Sequence, residues 1–482
     1  MEDKYITRPD LKFKYYLQIK FRDEFFNNIS ISRIIAANVT QSYLSFERKN
    51  FKILNELLKI IYLLFFRDFY LLFKFSLLTK PFPNLKNKII IEAISDQSRL
   101  KGFWLTTARA FKKNEFYIIT EDLKIYNKYR LKYNVIMPYN FNLILWIKSR
   151  FYIIQNFIKY YKLIKVEDNS HNYFSFKLRI LYDIIYQIHS SVKSDFFIKK
   201  YNPSCYLTMW DLYPFGAVYC NAFRKFQLPS ITFIHGAIGV KSLIEFVPLN
   251  ADYIISWGEH NTKLLSLNGV DPNAILECGC TRMTEYLGPN NNQIKIDKNN
   301  FKINSEKKVI CFLNTGIIRK SWVSDIKKII NVFANKYEFI CRPHPSNNIN
   351  YILKYFPENL KILFDKDISL ERTISISDYF ITDASSAGFD AIFMKKIVFI
   401  VDSNDEDVYQ DIMYDAYKSD AVLFSKSVEH FLSQFEKVTN NINYRNKILK
   451  NQDMFISKYV AFYSKESALN IKKSIDNIIS LS

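Results

Sequence analysis

Glycine is scarce in this chain, ten residues in 482, and nine of the ten lie between positions 216 and 388. The scarcity excludes glycine-rich phosphate cradles: there is no P-loop, no GxGxxG and no Gly-x-Ser-x-Gly elbow. It also implies that the glycines kept in that interval stand where backbone geometry or close ligand approach requires them. Cysteine is sparse as well. Six are spread along the chain, the nearest pair being Cys278-x-Cys280. This excludes a disulfide framework or a zinc pattern and predicts reduced, buried thiols.

Long apolar runs are missing too. The apolar stretch Phe51–Lys80 is interrupted by Lys52, Glu56, Lys59, Arg67, Asp68 and Lys74. Its longest uncharged run, Ile60–Phe66, falls far short of the roughly 20 residues that span a bilayer. The opening MEDKYITRPDLKFKYY lacks the basic-then-apolar order of a signal peptide, so a cytoplasmic location is expected. No DxD-like motif follows a strand in the first half. Neither a metal nor a cofactor is expected.

Positive charge is abundant: 67 Lys and Arg against 47 Asp and Glu give a net +20. Lys, Asn, Ile, Phe and Tyr are inflated together, a bias of AT-rich codons that accounts for part of the basicity. The rest favours anionic partners: a nucleotide donor, a phospholipid surface or a phosphorylated acceptor. With no long Lys/Arg run, nucleic acid is not expected.

The length calls for two or three domains. Residues 1–83 read as an N-terminal helical segment. Its charges recur as a narrow polar stripe, which suits a helix packed on the domain or one lying in a membrane interface. Residues 84–288 alternate short β runs with amphipathic helices, as in a Rossmann-like domain. One helix, Phe141–Val166, carries Lys148, Gln155, Lys159 and Lys162 on one face. Residues 289–307, polar and rich in Asn and Lys, read as a linker. A second α/β series over 308–440 forms a nucleotide-donor domain, and 441–482 is a helical tail. Alternation of this kind predicts two Rossmann-like units with parallel sheets. Ligands then sit at the carboxyl ends of strands.

Candidate site residues cluster at those ends. Arg342-Pro343-His344-Pro345 follows a strand, and its guanidinium and imidazole are candidates for a diphosphate. Thr382-Asp383-Ala384-Ser385-Ser386-Ala387-Gly388-Phe389-Asp390 follows another. There Ser385, Ser386 and Gly388 suit the phosphate, and Asp390, Thr382 and Asp383 the ribose or nucleotide. The same residues also suit an ordinary helix cap. In the first unit, His235-Gly236 and Asp211 follow strands, and either His235 or Asp211 is the candidate base. Arg282, Asn314, Thr315, Gly316 and Arg319 are further cleft candidates.

Together these blocks resemble bacterial cell-surface polysaccharide enzymes of the GT-B fold. That superfamily covers capsule and lipopolysaccharide glycosyltransferases, CDP-glycerol glycerophosphotransferases and bacterial polysialyltransferases. The likeness runs from about 205 to 405, through His235-Gly236, the segment ADYIISWGEHNTKLLSLNGVDPNAILECGCTRMTEY, RPHP and SDYFITDASSAGFDAIFMKKIVFIV. It implies a metal-independent transferase with a nucleotide-sugar donor and a glycan or lipid-linked glycan acceptor, placed in the cytoplasm or on the inner membrane face. It also implies donor phosphate contacts from His344, Ser385 and Ser386, a ribose contact from Asp390 and a base role for His235. Cys280-Thr281-Arg282 departs from the more usual Asn-Pro-Arg. The alternatives are CDP-alcohol phosphotransfer and non-hydrolysing UDP-sugar 2-epimerisation.

Overall fold

The computed structural model describes residues 25–26, 29–30, 53–66, 85–94, 98–138, 143–164, 173–211, 214–234, 249–282, 291–314, 320–344, 347, 349–358, 360–383, 385, 387–401 and 412–481. Within the N-terminal segment, β1 (Phe25–Phe26) and β2 (Ile29–Ser30) pair antiparallel, where helix was expected. Helix is found at α1 (Ile53–Ile61), which runs into a π-helical turn at Tyr62–Phe66. The rest of 1–83 below residue 53 or above 66 lies outside the described residues.

The first sheet contains β3 (Ile89–Glu92), β4 (Phe116–Ile119), β5 (Val135–Ile136), β6 (Cys205–Thr208), β7 (Ser230–Phe233), β8 (Tyr253–Ser256) and β9 (Ile275–Glu277). All pairings are parallel, in the order β5-β4-β3-β6-β7-β8-β9. Runs such as IIIE, FYII and CYLT are apolar nearly throughout, because helices cover both faces of the sheet. The helices are α2 (Ser98–Ala108), α3 (Leu123–Tyr129), α4 (Leu143–Leu163), α5 (Tyr173–Tyr201), α6 (Pro214–Lys225) and α7 (Glu259–Leu267).

The second unit begins with α8 (Asn291–Asn300), a helix inside the stretch read as a linker. Its Asp297 is buried and pairs with Arg372, and that tertiary contact offsets the weak periodicity of the sequence. There follow β10 (Lys308–Leu313), α9 (Lys320–Phe333), β11 (Tyr337–Arg342), α10 (Ile349–Tyr355), β12 (Lys361–Ile362), α11 (Leu370–Ser375), β13 (Tyr379–Thr382), α12 (Ala387–Phe393), β14 (Ile397–Val401), α13 (Ile412–Lys418) and β15 (Leu423–Ser425). The sheet is parallel, ordered β12-β11-β10-β13-β14-β15.

The chain ends in α14 (Val428–Asn440), α15 (Ile442–Tyr459) and α16 (Ser464–Leu481). The last of these returns to the first unit, against α2. Ala461 N–H donates to the Trp257 carbonyl and Cys280 N–H to the Phe462 carbonyl, both at 2.8 Å. Lys472 Nζ stands 3.2 Å from Glu115 Oε2. Gly279 makes this approach possible. It lies at φ +84°, and a Cβ there would fall 2.0 Å from the Phe462 carbonyl oxygen. Aromatic contacts of Phe389 with Trp257, Phe455 and Tyr459 extend one apolar core across both units. All six cysteines are free and buried, as their spacing implied.

A smaller core joins α1, α4 and α5 around Ile60, Leu63, Ile153, Tyr160 and Ile184. Arg150 locks it: its Nε–H donates to the Leu64 carbonyl at 2.7 Å, and its Nη1 lies 2.9 Å from His189 Nδ1. The opposite side of α4 exposes Ile144, Ile147, Phe151, Ile154 and Ile158, a row at alternating spacings of three and four. Lys148, Lys159 and Lys162 are exposed on the same helix.

Candidate active site

Each sheet reverses its winding once. The first turns back between β3 and β6, the second between β10 and β13. In open α/β sheets ligands bind outside the carboxyl ends of strands at this reversal.

In the second unit the reversal brings Asn314, at the end of β10, beside Thr382 and Asp383, at the end of β13. Asn314 accepts the Trp322 indole N–H at 2.9 Å through Oδ1, and its own N–H donates to the Arg342 carbonyl. Thr382 is buried and its Oγ1 accepts the Ser385 N–H at 2.8 Å, folding the post-strand loop back on the strand end. Ser385 Oγ in turn accepts the Ala387 N–H at 3.4 Å, beginning α12. His344 is exposed at the end of the neighbouring β11, its N–H donating to Asn347 Oδ1 at 2.8 Å.

Other expected residues have different work here. Arg342 is buried. Its guanidinium donates to the Leu363 and Ile368 carbonyls and pairs with Asp365, pinning the chain after β12. Burial lowers its pKa from the ordinary value, which Asp365 partly opposes. As placed, it anchors a loop instead of a phosphate. Gly388 makes room for the Met413 side chain, whose Cε would lie 2.7 Å from an added Cβ. Asp390 is fully buried, with Oδ1 accepting from Arg282 Nη2 at 2.6 Å. The carboxylate expected at a ribose is therefore engaged by the cation expected in the cleft. Arg282 also stacks over Trp257, 5.0 Å from the ring centre, and its Cβ stands 2.9 Å from where a Cβ on Gly102 would lie. It thus ties α2, which follows β3, to α12, which follows β13, and so draws together the helices leaving the two reversals.

In the first unit Asp211 is fully buried. Its Oδ2 accepts the N–H groups of Asn250 and Ala251 at 2.7 and 3.1 Å, and its N–H donates to Thr232 Oγ1. A carboxylate spent on backbone N–H groups positions the chain before β8, and the base role expected of Asp211 finds no support in this geometry. His235, Gly236, Thr315, Gly316, Arg319 and Ser386 lie outside the described residues.

The sequence reading passed over Glu92. It ends β3 at the first reversal, with 2% of its surface exposed. Its Oε2 accepts from Tyr206 Oη at 2.9 Å and from Thr208 Oγ1 on β6. Burial pushes its carboxyl up from 4.5 to about 8, and the nearby charge of Glu121 adds to this, while the two hydroxyl donors oppose it. It lines a cavity of about 260 Å³ with Thr120, Glu121, Asp122 and Phe215. The available signal was an acid in an otherwise apolar strand, Ile-Ile-Ile-Glu-Ala-Ile.

Two doubly wound parallel sheets in series, with the last helix returning to the first, define a GT-B architecture. The family model for CDP-glycerol:poly(glycerophosphate) glycerophosphotransferase matches residues 240–477, just under half of the chain. Among solved structures, the chain is similar to an S. aureus MnaA–UDP co-structure. The identity is 10% with TM-score 0.53, over 82% of this chain and 98% of that one. It is also similar to UDP-GlcNAc 2-epimerase from Neisseria meningitidis bound to UDP-GlcNAc, at 12% identity and TM-score 0.52, over 81% and 100%. No curated protein matches the sequence. Among the described residues, no group of three His, Cys, Asp or Glu side chains converges as a metal ion would require.

Proposed function

We propose that this transferase moves a sugar from a nucleotide-sugar donor to a cell-surface polysaccharide acceptor of the capsule, O-antigen or lipooligosaccharide kind. The observation that carries the reading is the second reversal. His344 and Ser385 stand at the ends of β11 and β13, which flank β10, so an imidazole and a hydroxyl are set around one crevice. Donors placed there stabilise charge developing on a departing phosphate. Ser386 is proposed to share this role, and His235 remains the candidate base of the first unit. His344→Ala, and Ser385→Ala with Ser386→Ala, are expected to weaken binding of UDP-N-acetylglucosamine or CDP-glycerol about tenfold or more while the free protein still unfolds in one cooperative transition. Nucleotide-induced thermal shifts that survive both changes would sink the donor assignment.

A second reading is glycerophosphoryl transfer from a CDP-alcohol, favoured by the family match over 240–477. Product mass separates a glycoside from a phosphodiester. We further propose that the protein works on the inner face of the cytoplasmic membrane. The exposed row on α4, with Leu58, Ile61, Phe65 and Phe66 exposed on the neighbouring α1 and its turn, suits shallow insertion among anionic headgroups drawn by Lys148, Lys159 and Lys162. No helix among the described residues is long and apolar enough to cross a membrane. Ile147→Ser/Phe151→Ser/Ile154→Ser is expected to abolish co-flotation with vesicles containing phosphatidylglycerol. Unchanged flotation would remove this location.

A further inference from the structure

The cavity at the first reversal lies in the other unit from the proposed donor site, and its lining is acidic in a basic chain. The chain carries a net charge of +20, yet the polar side of this cavity is Glu92, Glu121, Asp122 and Thr120, set against Ile94 and Phe215. Such a lining repels phosphate and accepts hydrogen bonds, so it selects the uncharged, hydroxyl-bearing end of a polyol or sugar. The rim is built, not incidental. Thr120 Oγ1 donates to the Ala93 carbonyl at 2.8 Å and accepts the Asp122 N–H at 3.1 Å, which holds the ends of β3 and β4 together. Gly216 lets α6 close the other side, since a Cβ there would lie 2.4 Å from the Trp210 carbonyl oxygen and 2.7 Å from Thr208 Oγ1.

We propose that this cavity receives the acceptor's neutral hydroxyl end and that Glu92 takes the proton from the attacking hydroxyl. Both hydrogen bonds that Glu92 accepts from Tyr206 and Thr208 fall on Oε2, which leaves Oε1 for the incoming group. In the step, the acceptor O–H bond breaks and its proton passes to the Glu92 carboxylate. The acceptor oxygen bonds to the donor carbon, the carbon–phosphate oxygen bond breaks, and the electron pair leaves with the nucleotide. The proton is returned to solvent when product departs. The inference rests on the transferase reading above and supplies its acceptor half.

The groups around Glu92 set its proton affinity. Tyr206 and Thr208 reach it from β6, Glu121 and Asp122 stand after β4, and the Cys220 thiol lies on α6. With its carboxyl at about 8, roughly a tenth is ionised at pH 7, and base strength is high.

The test uses the full chain with UDP-N-acetylglucosamine or CDP-glycerol as donor and N-acetylglucosamine or glycerol as acceptor, read as nucleotide release from about pH 6 to pH 9. Wild-type release is expected to rise with pH to a midpoint near 8. Glu92→Gln is expected to retain the nucleotide-induced thermal shift, to lose a hundredfold or more in release, and to lose the pH midpoint. Glu121→Gln removes a neighbouring negative charge and is expected to move the midpoint down. Release by Glu92→Gln within threefold of wild type, on the same pH profile, overturns the proposal. If wild-type protein shows no thermal shift with any donor, the donor reading fails instead. The proton site is then judged alone, by carboxyl infrared difference spectra of wild type minus Glu92→Gln. A carboxyl already ionised at pH 6 overturns it, and one ionising near pH 8 supports it.

Discussion

The two sheets are wound alike yet furnished differently. Each runs outward in one direction for three strands, returns to the centre and runs outward in the other. At the second reversal the strand ends offer amides, hydroxyls and an exposed imidazole: Asn314, Thr382, Ser385 and His344. At the first they offer a buried carboxyl bonded by two hydroxyls, with more acid beside it. The one suits an anion and the other a neutral hydroxyl donor. Open α/β sheets take ligands at such reversals, and the few side chains there set which charge would fit.

The link between the two reversals is where the comparison breaks most easily. Arg282→Ala would leave the Asp390 carboxylate buried without its cation, at a cost of about 3–5 kcal/mol. Urea denaturation is expected to show that loss. Adding Asp390→Asn should recover part of it if the pair, and not packing over Trp257, carries the effect. Next in size is Gly279→Ala, which forces a left-handed backbone on alanine and drives its methyl into Phe462. It should cost about 2–4 kcal/mol and free the last helix from the first unit. Faster hydrogen exchange over 464–481 would confirm the release, and unchanged protection would deny that Gly279 holds this contact.

A pH-dependent effect belongs to Glu92, and it sharpens the difference in charge. The folded carboxyl titrates near 8 and an unfolded glutamate near 4.5, so the folded chain holds an extra proton between those values. Stability from this site is fully present below about pH 4.5 and is lost as pH rises through about 8. Melting of wild type against Glu92→Gln should diverge in that window, the variant gaining as the pH rises. Parallel curves would mean that the carboxyl is ionised throughout.

Strand positions were legible because a strand buried on both faces must be apolar. Runs such as Ile-Ile-Ile-Glu and Tyr-Phe-Ile-Thr admit little else. Helix α8 was missed because Asn and Lys dominate Asn291–Asn300, and what stabilises it is remote, the Asp297–Arg372 pair. Several glycines do stand at close approaches, but there the neighbour is the protein itself, and Gly269 meets nothing within 4 Å. Gly258 and Gly279 admit the segment that follows α15, Gly102 admits Arg282, and Gly388 admits Met413.

Local sequence determined the α/β alternation, the parallel sheets and the placing of polar motifs at strand ends, since periodicity and strand burial act over a few residues. Which of those polar groups remain available, only the tertiary structure decided. Arg342, Asp211, Arg282 and Asp390 read alike as functional in sequence, yet each is engaged by partners 21 to 108 positions away. A charge buried by folding must find such a partner or give up its charge. Glu92, with no cation beside it among the described residues, takes the second course. The scarcity of glycine first marked out 216–388, and there Gly216, Gly258, Gly279 and Gly388 stand where an added Cβ would meet a neighbouring segment.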